Sequence, residues 1–115
     1  MNCQWNIYWV DQNPSLGAEQ SGRRPVLVIS EEAVNQAIPV ITVLCLTTLK
    51  PGRAIYPTEH LISPEDSGLK ECSIIMAHQI RTIAKERLAE KCGTITCAAI
   101  RERIRNIIKV YLDLK

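Results

Sequence analysis

Hydrophobic residues are clustered along the first two thirds of the chain, and the clusters predict a series of β-strands. Some clusters are aromatic and β-branched, and others are continuous apolar runs, which is typical of strands buried in a core. Pro57 indicates that one of them lies at a sheet edge. The predicted strands are Ile7–Val10, Val26–Ile29, Val40–Leu46, Tyr56–Ile62 and Cys72–Ala77.

The segments between these clusters are rich in breaker residues. Gln12–Arg24 contains a proline and glycines and exceeds the usual hairpin connection, and such loops are often functional. Pro51-Gly52 is a turn signal. Ser63–Gly68 is predicted to be a polar loop, and Ser30 is predicted to cap a short turn at Glu31–Asn35.

The pattern changes to a helical one after Arg81. Thr82 is a predicted N-cap for a helix through Lys91, with Gly93 as its stop. In the last segment the apolar positions follow the i, i+4, i+7, i+8, i+11 spacing of one helix face. They are Ile100, Ile104, Ile107, Ile108 and Tyr111, whereas Arg101, Arg103, Arg105 and Lys109 lie off that face.

Short strands followed by helix predict an α+β fold, built as a small antiparallel β-barrel or curled sheet with a C-terminal helix. The 115 residues, 46% of them hydrophobic, predict one domain over 1–115. A domain of this size has a modest margin of stability, so a homodimer would help.

Charge and cysteine content narrow the classes of function. Fourteen basic and 12 acidic residues give a net charge of +2, so a nucleic-acid site must come from local placement of charge. The five cysteines form no CxxC pair and are predicted to be reduced thiols, with Cys45 packing as a small hydrophobe. A zinc site using Cys92, Cys97 and a histidine would fit no common ligand spacing.

The location predicted from the sequence is cytoplasmic. No signal peptide is visible at the start of the chain. The longest apolar stretch, Ile38–Leu46, is far too short to span a bilayer, so no membrane association is expected.

Arg24 is the most informative candidate for chemistry. It precedes Pro25, which favours an extended backbone, and it lies where a glycine-bearing loop enters a buried strand. A guanidinium fixed in this way is suited to binding a phosphate. Taken on physics alone, the same residue is also consistent with a solvated arginine at a loop edge.

Three blocks of this chain together resemble the MazF/PemK (CcdB-like) toxin family. They are IYWVDQNPSLGAEQSGRRPVLVIS with its E-Q-x-G-x-R-P pattern, VLCLTTL, and SIIMAHQIRTIAKERL. The resemblance covers roughly residues 5 to 112. It implies an SH3-like barrel with a C-terminal helix, a homodimer, and a toxin restrained by a cognate antitoxin, MazE-like, whose acidic disordered segment covers the RNA groove.

The activity implied by the resemblance is cleavage of single-stranded RNA at short sequences, with no metal and no cofactor. The ribose 2′-hydroxyl would act as nucleophile and leave a 2′,3′-cyclic phosphate and a 5′-hydroxyl. Arg24 would stabilise the pentacoordinate phosphate, and Thr47, or its neighbour Thr48, would hold the phosphate or the 2′-hydroxyl. Without the resemblance, Thr47 is equally a strand-end residue bonded to its own backbone.

Five further residues are candidates for the same site. Glu19 could orient the Arg24 guanidinium or act as a base, or it is an exposed loop carboxylate. Gln20 and Gln79 offer amides to read base edges. His78, where relatives more often carry an acid, is either catalytic, substrate-binding or a strand-end polar residue. Arg81 contacts phosphate or forms a helix-edge salt bridge. His60 is interpreted as a surface residue.

Other features separate the chain from the family pattern and from rival functions. Trp5-Asn6 replaces a common Gly-Asp pair, and Ala84 replaces a common aspartate. A gyrase-targeting toxin of the same fold would end in tryptophan, glycine and isoleucine, whereas this chain ends Tyr111–Lys115. A non-catalytic binding module remains the other alternative, although Arg24 and Thr47 are both present.

Overall fold

The computed structural model describes residues 2–11 and 23–115. The elements in these ranges follow the chain in an order of short strands, with short helices between them and one long helix at the end. They are β1 (Asn6–Asp11), β2 (Arg23–Val28), α1 (Glu32–Ala37), β3 (Val40–Thr48), β4 (Glu59–Ile62), α2 (Pro64–Ser67), β5 (Ser73–Ala84), a 3-10 turn (Lys85–Arg87), β6 (Leu88–Thr94) and α3 (Ala98–Leu112).

All six described strands form one sheet in the order β4-β5-β3-β2-β1-β6, and every pairing is antiparallel. The prediction of an α+β fold with an antiparallel sheet and a C-terminal helix is confirmed. No helix in residues 2–11 and 23–115 is long and apolar enough to cross a membrane.

The sheet buries apolar side chains on both of its faces. One face, here called the helix face, packs Leu27, Leu44 and Leu46 against the isoleucines of α3. The opposite face, here called the outer face, carries a second cluster that includes Val26 and Val43. Because side chains alternate along a strand, each residue of β2 and β3 can be assigned to one face by its position.

The predicted helix from Thr82 to Lys91 is wrong. β5 continues to Ala84 alongside β3, and β6 pairs with β1. The Thr82 hydroxyl lies 3.2 Å from the Thr42 hydroxyl on the neighbouring strand instead of capping a helix. Pairing between distant strands has overridden a local helical preference.

Smaller differences concern where elements begin and end. The strand predicted from Tyr56 begins at Glu59, and the predicted polar loop contains α2, which Ser63 caps. Glu31, rather than Ser30, caps α1. The two helices are one or two turns long, and their starts depend on single side-chain caps.

Gly93 is required for contact between β6 and α2. A Cβ atom there would lie 2.3 Å from the Ser67 carbonyl oxygen, which is closer than any carbon can approach. The backbone of these two elements therefore packs at a distance that only glycine allows.

Trp5 has a φ of 70°, a left-handed conformation that favours glycine. Here the buried indole lies under Arg101 and Arg105, whose guanidinium carbons are 5.4 and 5.2 Å from the ring centroid. The helix arginines nearest Trp5 thus stack on an aromatic ring of the core.

Candidate functional site

Arg24 and Thr47 are brought to adjacent strands of the sheet. Val26 of β2 lies opposite Cys45 of β3, so two further residues along each strand place Arg24 opposite Thr47 (26 − 2 and 45 + 2). Both share the outer face with Val26, and both are half-buried. A guanidinium and a hydroxyl on neighbouring central strands, at the same end of the sheet, form a donor pair suited to a phosphate.

A cleft of about 710 Å³ opens at this end of the sheet. Its walls combine basic, hydroxyl and apolar side chains. They include Arg23, Arg24, Thr47, Thr48, Lys50, Lys70, Ser73, Trp9 and Leu69. Among the described lining residues, Arg24, Lys50 and Lys70 outnumber one carboxylate, Glu71. Local placement therefore produces the excess of positive charge that the small net charge does not supply.

Arg81 lies on the outer face beside Cys45. Burial raises the pKa of the Cys45 thiol, and the charges of Arg81 and Arg24 and a hydrogen bond from Arg81 act in the opposite direction. Two guanidinium groups therefore flank one neutral thiol. The alternative of a helix-edge salt bridge for Arg81 is wrong, because the residue lies within β5.

Arg23 differs from Arg24 although the two are neighbours in the chain. Arg23 forms ion pairs with Asp11, at 3.5 Å, and with Glu90, and its guanidinium carbon lies 5.9 Å from the Trp9 ring centroid. The hydrogen bond from Arg23 helps to lower the pKa of Glu90. Sequence reasoning did not single out Arg23, since its partners come from strands far away in the chain.

His78 and Gln79 lie in an irregular part of β5. Between the Cys45–Met76 and Val43–Arg81 pairs, two steps along β3 match five along β5, which leaves a bulge. A bulge changes the direction in which side chains point. Here Gln79 is exposed, whereas His78 Nδ1 lies 3.3 Å from Thr58 Oγ1. Neither residue lines the cleft.

Glu59 is a buried carboxylate that sequence reasoning missed. Its side chain is 0% exposed and accepts hydrogen bonds from both Arg53 terminal nitrogens, at 3.0 and 2.7 Å, and from the Tyr56 backbone, at 2.9 Å. The Arg53 hydrogen bond is the main reason that its pKa is lowered, and burial opposes it. Its only sequence signal is an acidic residue at the start of a β-type segment.

Several other candidates are placed differently or not at all. Glu19 and Gln20 lie outside the described residues. His60 is half-buried, in contrast to its interpretation as a surface residue, because it is on the face of β4 that carries Ile62. Among the residues that the structure describes, no group of three or more His, Cys, Asp or Glu is arranged to hold a metal ion.

Comparison with known proteins assigns a family to this arrangement. The model of the PemK-like, MazF-like toxin of type II toxin-antitoxin systems matches residues 3–111. Two curated endoribonucleases are similar to the chain. EndoA of Bacillus subtilis is 38% identical over 86 residues, covering 75% of this chain and 73% of that protein.

MazF of Staphylococcus saprophyticus is 33% identical over 109 residues, covering 95% of this chain and 89% of that protein. A solved endoribonuclease in complex with its cognate antitoxin, from a mycobacterial species, superimposes with a TM-score of 0.79 at 26% identity. That superposition covers 100% of this chain and 98% of the other.

Proposed function

Because the chain belongs to the PemK-like, MazF-like family of type II toxins, we propose that it is a toxin that cleaves single-stranded RNA sequence-selectively, without a metal ion. The observation that carries the proposal is the Arg24–Thr47 pair at a cleft lined by lysines and arginines. The similar curated proteins named endoribonucleases support it.

The proposed reaction is an internal transfer at one phosphodiester. The ribose 2′-oxygen attacks the phosphorus, its proton passes to a base, and the bond to the 5′-oxygen breaks. The 5′-oxygen takes up a proton from water, so the products are a 2′,3′-cyclic phosphate and a 5′-hydroxyl. No nucleophile from the protein is needed, and DNA is excluded because it lacks the attacking hydroxyl.

Arg24 and Thr47 supply complementary contacts to the reacting phosphate. The cationic guanidinium of Arg24 neutralises the charge that builds on the equatorial oxygens, where preorganised donors are most effective. The Thr47 hydroxyl holds a phosphate oxygen or the 2′-hydroxyl from the adjacent strand. We assign the base to Glu19.

The flanking nucleotides are proposed to contact a wider basic surface. Lys50, Lys70 and Arg81 lie on both sides of the Arg24–Thr47 pair and would bind neighbouring phosphates. Gln20 and Gln79 would read base edges, and Thr48 and His78 would make further substrate contacts. These four residues, together with the basic surface, complete the proposed RNA-binding site.

The proposed assembly is a homodimer that acts in the cytoplasm, with each subunit a single domain. A cognate antitoxin is the expected partner, since a similar endoribonuclease was solved in complex with one. An acidic antitoxin segment would cover the basic cleft and compete with RNA for the same cations. This predicts that antitoxin binding weakens with added salt.

The test is to incubate the purified protein with a long defined RNA in EDTA, map the cut ends and analyse their chemistry. We expect cuts at a short recurring sequence, with cyclic phosphate and 5′-hydroxyl ends. Arg24→Ala should remain folded and lose cleavage. Arg103→Ala, which changes an exposed arginine on α3, is the matched control and should cleave normally.

Three results would contradict the proposal. They are strict dependence on added metal, 5′-phosphate ends, or full activity of Arg24→Ala. A supercoiling assay on the same sample separates the gyrase-targeting alternative. A folded protein that is inactive in both assays indicates a binding module.

A further inference from the structure

The outer face extends beyond Thr47 across two more strands. Thr47 pairs with Ile74 of β5, and Ile74 pairs with Leu61 of β4. Arg24, Thr47, Ile74 and Leu61 therefore form one cross-strand row. Two interstrand steps of about 4.8 Å place Leu61 roughly 10 Å from Thr47, which is within reach of nucleotides flanking the bond that is cut.

The connection between β3 and β4 folds over this part of the outer face. Glu59 is on the same face, since it pairs with Met76, which also pairs with Cys45. Ile74 and Met76 are buried although they point away from the helix face. The connection is held in place by Glu59, which bonds Arg53 and the Tyr56 backbone.

This arrangement leaves the Tyr56 ring open to solvent on a rigid base. Its exposed fraction is 58%, and the Arg53 guanidinium carbon lies 5.3 Å from the ring centroid. Since the buried carboxylate holds both the Arg53 guanidinium and the Tyr56 backbone, the cation is kept beside the base of the ring. Ile55, the preceding residue, is also exposed, as is Leu61 on the neighbouring strand β4.

We propose that Tyr56 is a stacking platform for one unpaired nucleobase of the RNA, a few nucleotides from the cleaved phosphodiester. The inference rests on the proposed function and adds a binding subsite to it. Proteins bind single-stranded nucleic acids by stacking unpaired bases on exposed aromatic rings and arginine guanidinium groups. The Arg53 cation also attracts the adjoining phosphate, so one fixed unit contacts both the base and the backbone.

The test uses a short DNA strand that contains the mapped recognition sequence and a single ribose at the cleaved position. Each flanking nucleotide in turn is replaced by an abasic residue, and kcat/KM is measured. For the unmodified protein, we expect the base that occupies the subsite to be worth about 5- to 150-fold, in addition to any position that is read by hydrogen bonds. Tyr56→Ala should lose a similar factor on the intact strand.

The decisive measurement is the combination of the two changes. At the subsite position, removing the base should lower kcat/KM of Tyr56→Ala little further, because the ring that would bind it is already absent. At every other position, the losses from the substitution and from the abasic residue should multiply. Tyr56→Phe should restore most of the lost rate, and Tyr56→Leu should not. Tyr111→Ala removes a tyrosine of similar exposure, 45%, on α3, and should leave the rate and the abasic profile unchanged.

Losses that multiply at every abasic position would overturn the platform, as would a change in the oligomeric mass of Tyr56→Ala. If that variant does not fold, the comparison of Tyr56→Phe with Tyr56→Leu decides the same question. An unmodified protein that still cleaves RNA confines the failure to this subsite. An unmodified protein that cleaves no RNA overturns the proposed function and the platform together.

Discussion

Replacing Glu59 with glutamine tests whether the buried ion pair holds the connection between β3 and β4. The carboxylate accepts two hydrogen bonds from Arg53 and one from the Tyr56 backbone. An amide keeps one acceptor but turns an NH2 group toward the guanidinium. At least one charge-assisted hydrogen bond is therefore lost, and each contributes about 1.5–3 kcal/mol.

The expected loss is about 2 kcal/mol at pH 7, at the lower end of that range. Removing one partner of a fully buried pair costs about 3–5 kcal/mol, but the Arg53 side chain is 28% exposed and regains water. For a domain of this size, the midpoint of thermal unfolding should fall by roughly 8 °C.

The difference should also depend on pH. The folded-state pKa of Glu59 is lowered, first by the Arg53 hydrogen bond. Its stabilisation is therefore complete above the unfolded value of about 4.3 and is lost as the pH falls through the folded value. Glutamine does not titrate, so the two proteins should converge in stability only below about pH 4.3.

Urea unfolding of both proteins between pH 7 and pH 3.5 measures this effect. Glu86→Gln, at an exposed position in the 3-10 turn, is the control and should change stability by less than about 0.5 kcal/mol. A Glu59→Gln loss no larger than this control, or a loss that is constant over the whole pH range, would refute the reasoning.

Three further predictions follow from single contacts. Thr47→Ala should lower kcat/KM for RNA cleavage by about 100-fold or more if its hydroxyl holds the reacting phosphate. Thr48 lies on the other face, so Thr48→Ala should have a smaller effect. A larger loss for Thr48→Ala than for Thr47→Ala would exchange their roles. Gly93→Ala should destabilise the fold by about 1–3 kcal/mol, because its methyl group meets the Ser67 carbonyl, and unchanged urea unfolding would contradict this. Burial raises the pKa of Glu32, but backbone N–H donors outweigh it and lower the value to about 2. Carbon NMR titration should find this value, and the stability that the ionised carboxylate contributes should be lost between about pH 4.3 and that value. A midpoint in the ordinary range for glutamate would contradict the prediction.

Patterns of local origin were predicted well from the sequence. The strands at Ile7–Val10, Val26–Ile29 and Val40–Leu46 and the C-terminal helix are confirmed. The apolar strand runs are buried on both faces of the sheet. The helix spacing matches the buried face at Ile100, Ile104 and Ile107, whereas Tyr111 is exposed. Family resemblance then identified Arg24 and Thr47, which the register of β2 and β3 brings together.

The main failure, at Thr82–Lys91, has the opposite origin. Its residues suit a helix when they are considered alone, yet they form parts of β5 and β6. The partners that stabilise them are Val40–Thr42 and β1, which lie far away in the chain. Pairing energy of this kind has no local signature, so hydrophobic spacing does not reveal it.

The amino-acid sequence by itself determined the α+β class, the C-terminal helix, and the arginine before a proline where a loop enters a buried strand. Only the tertiary structure decided that Arg23 is neutralised by Asp11 and Glu90, and that Glu59 holds the connection beside Tyr56. The physical reason is range. Periodicity and backbone preference act over a few residues, whereas ion pairing and burial depend on groups that meet only when distant strands pair.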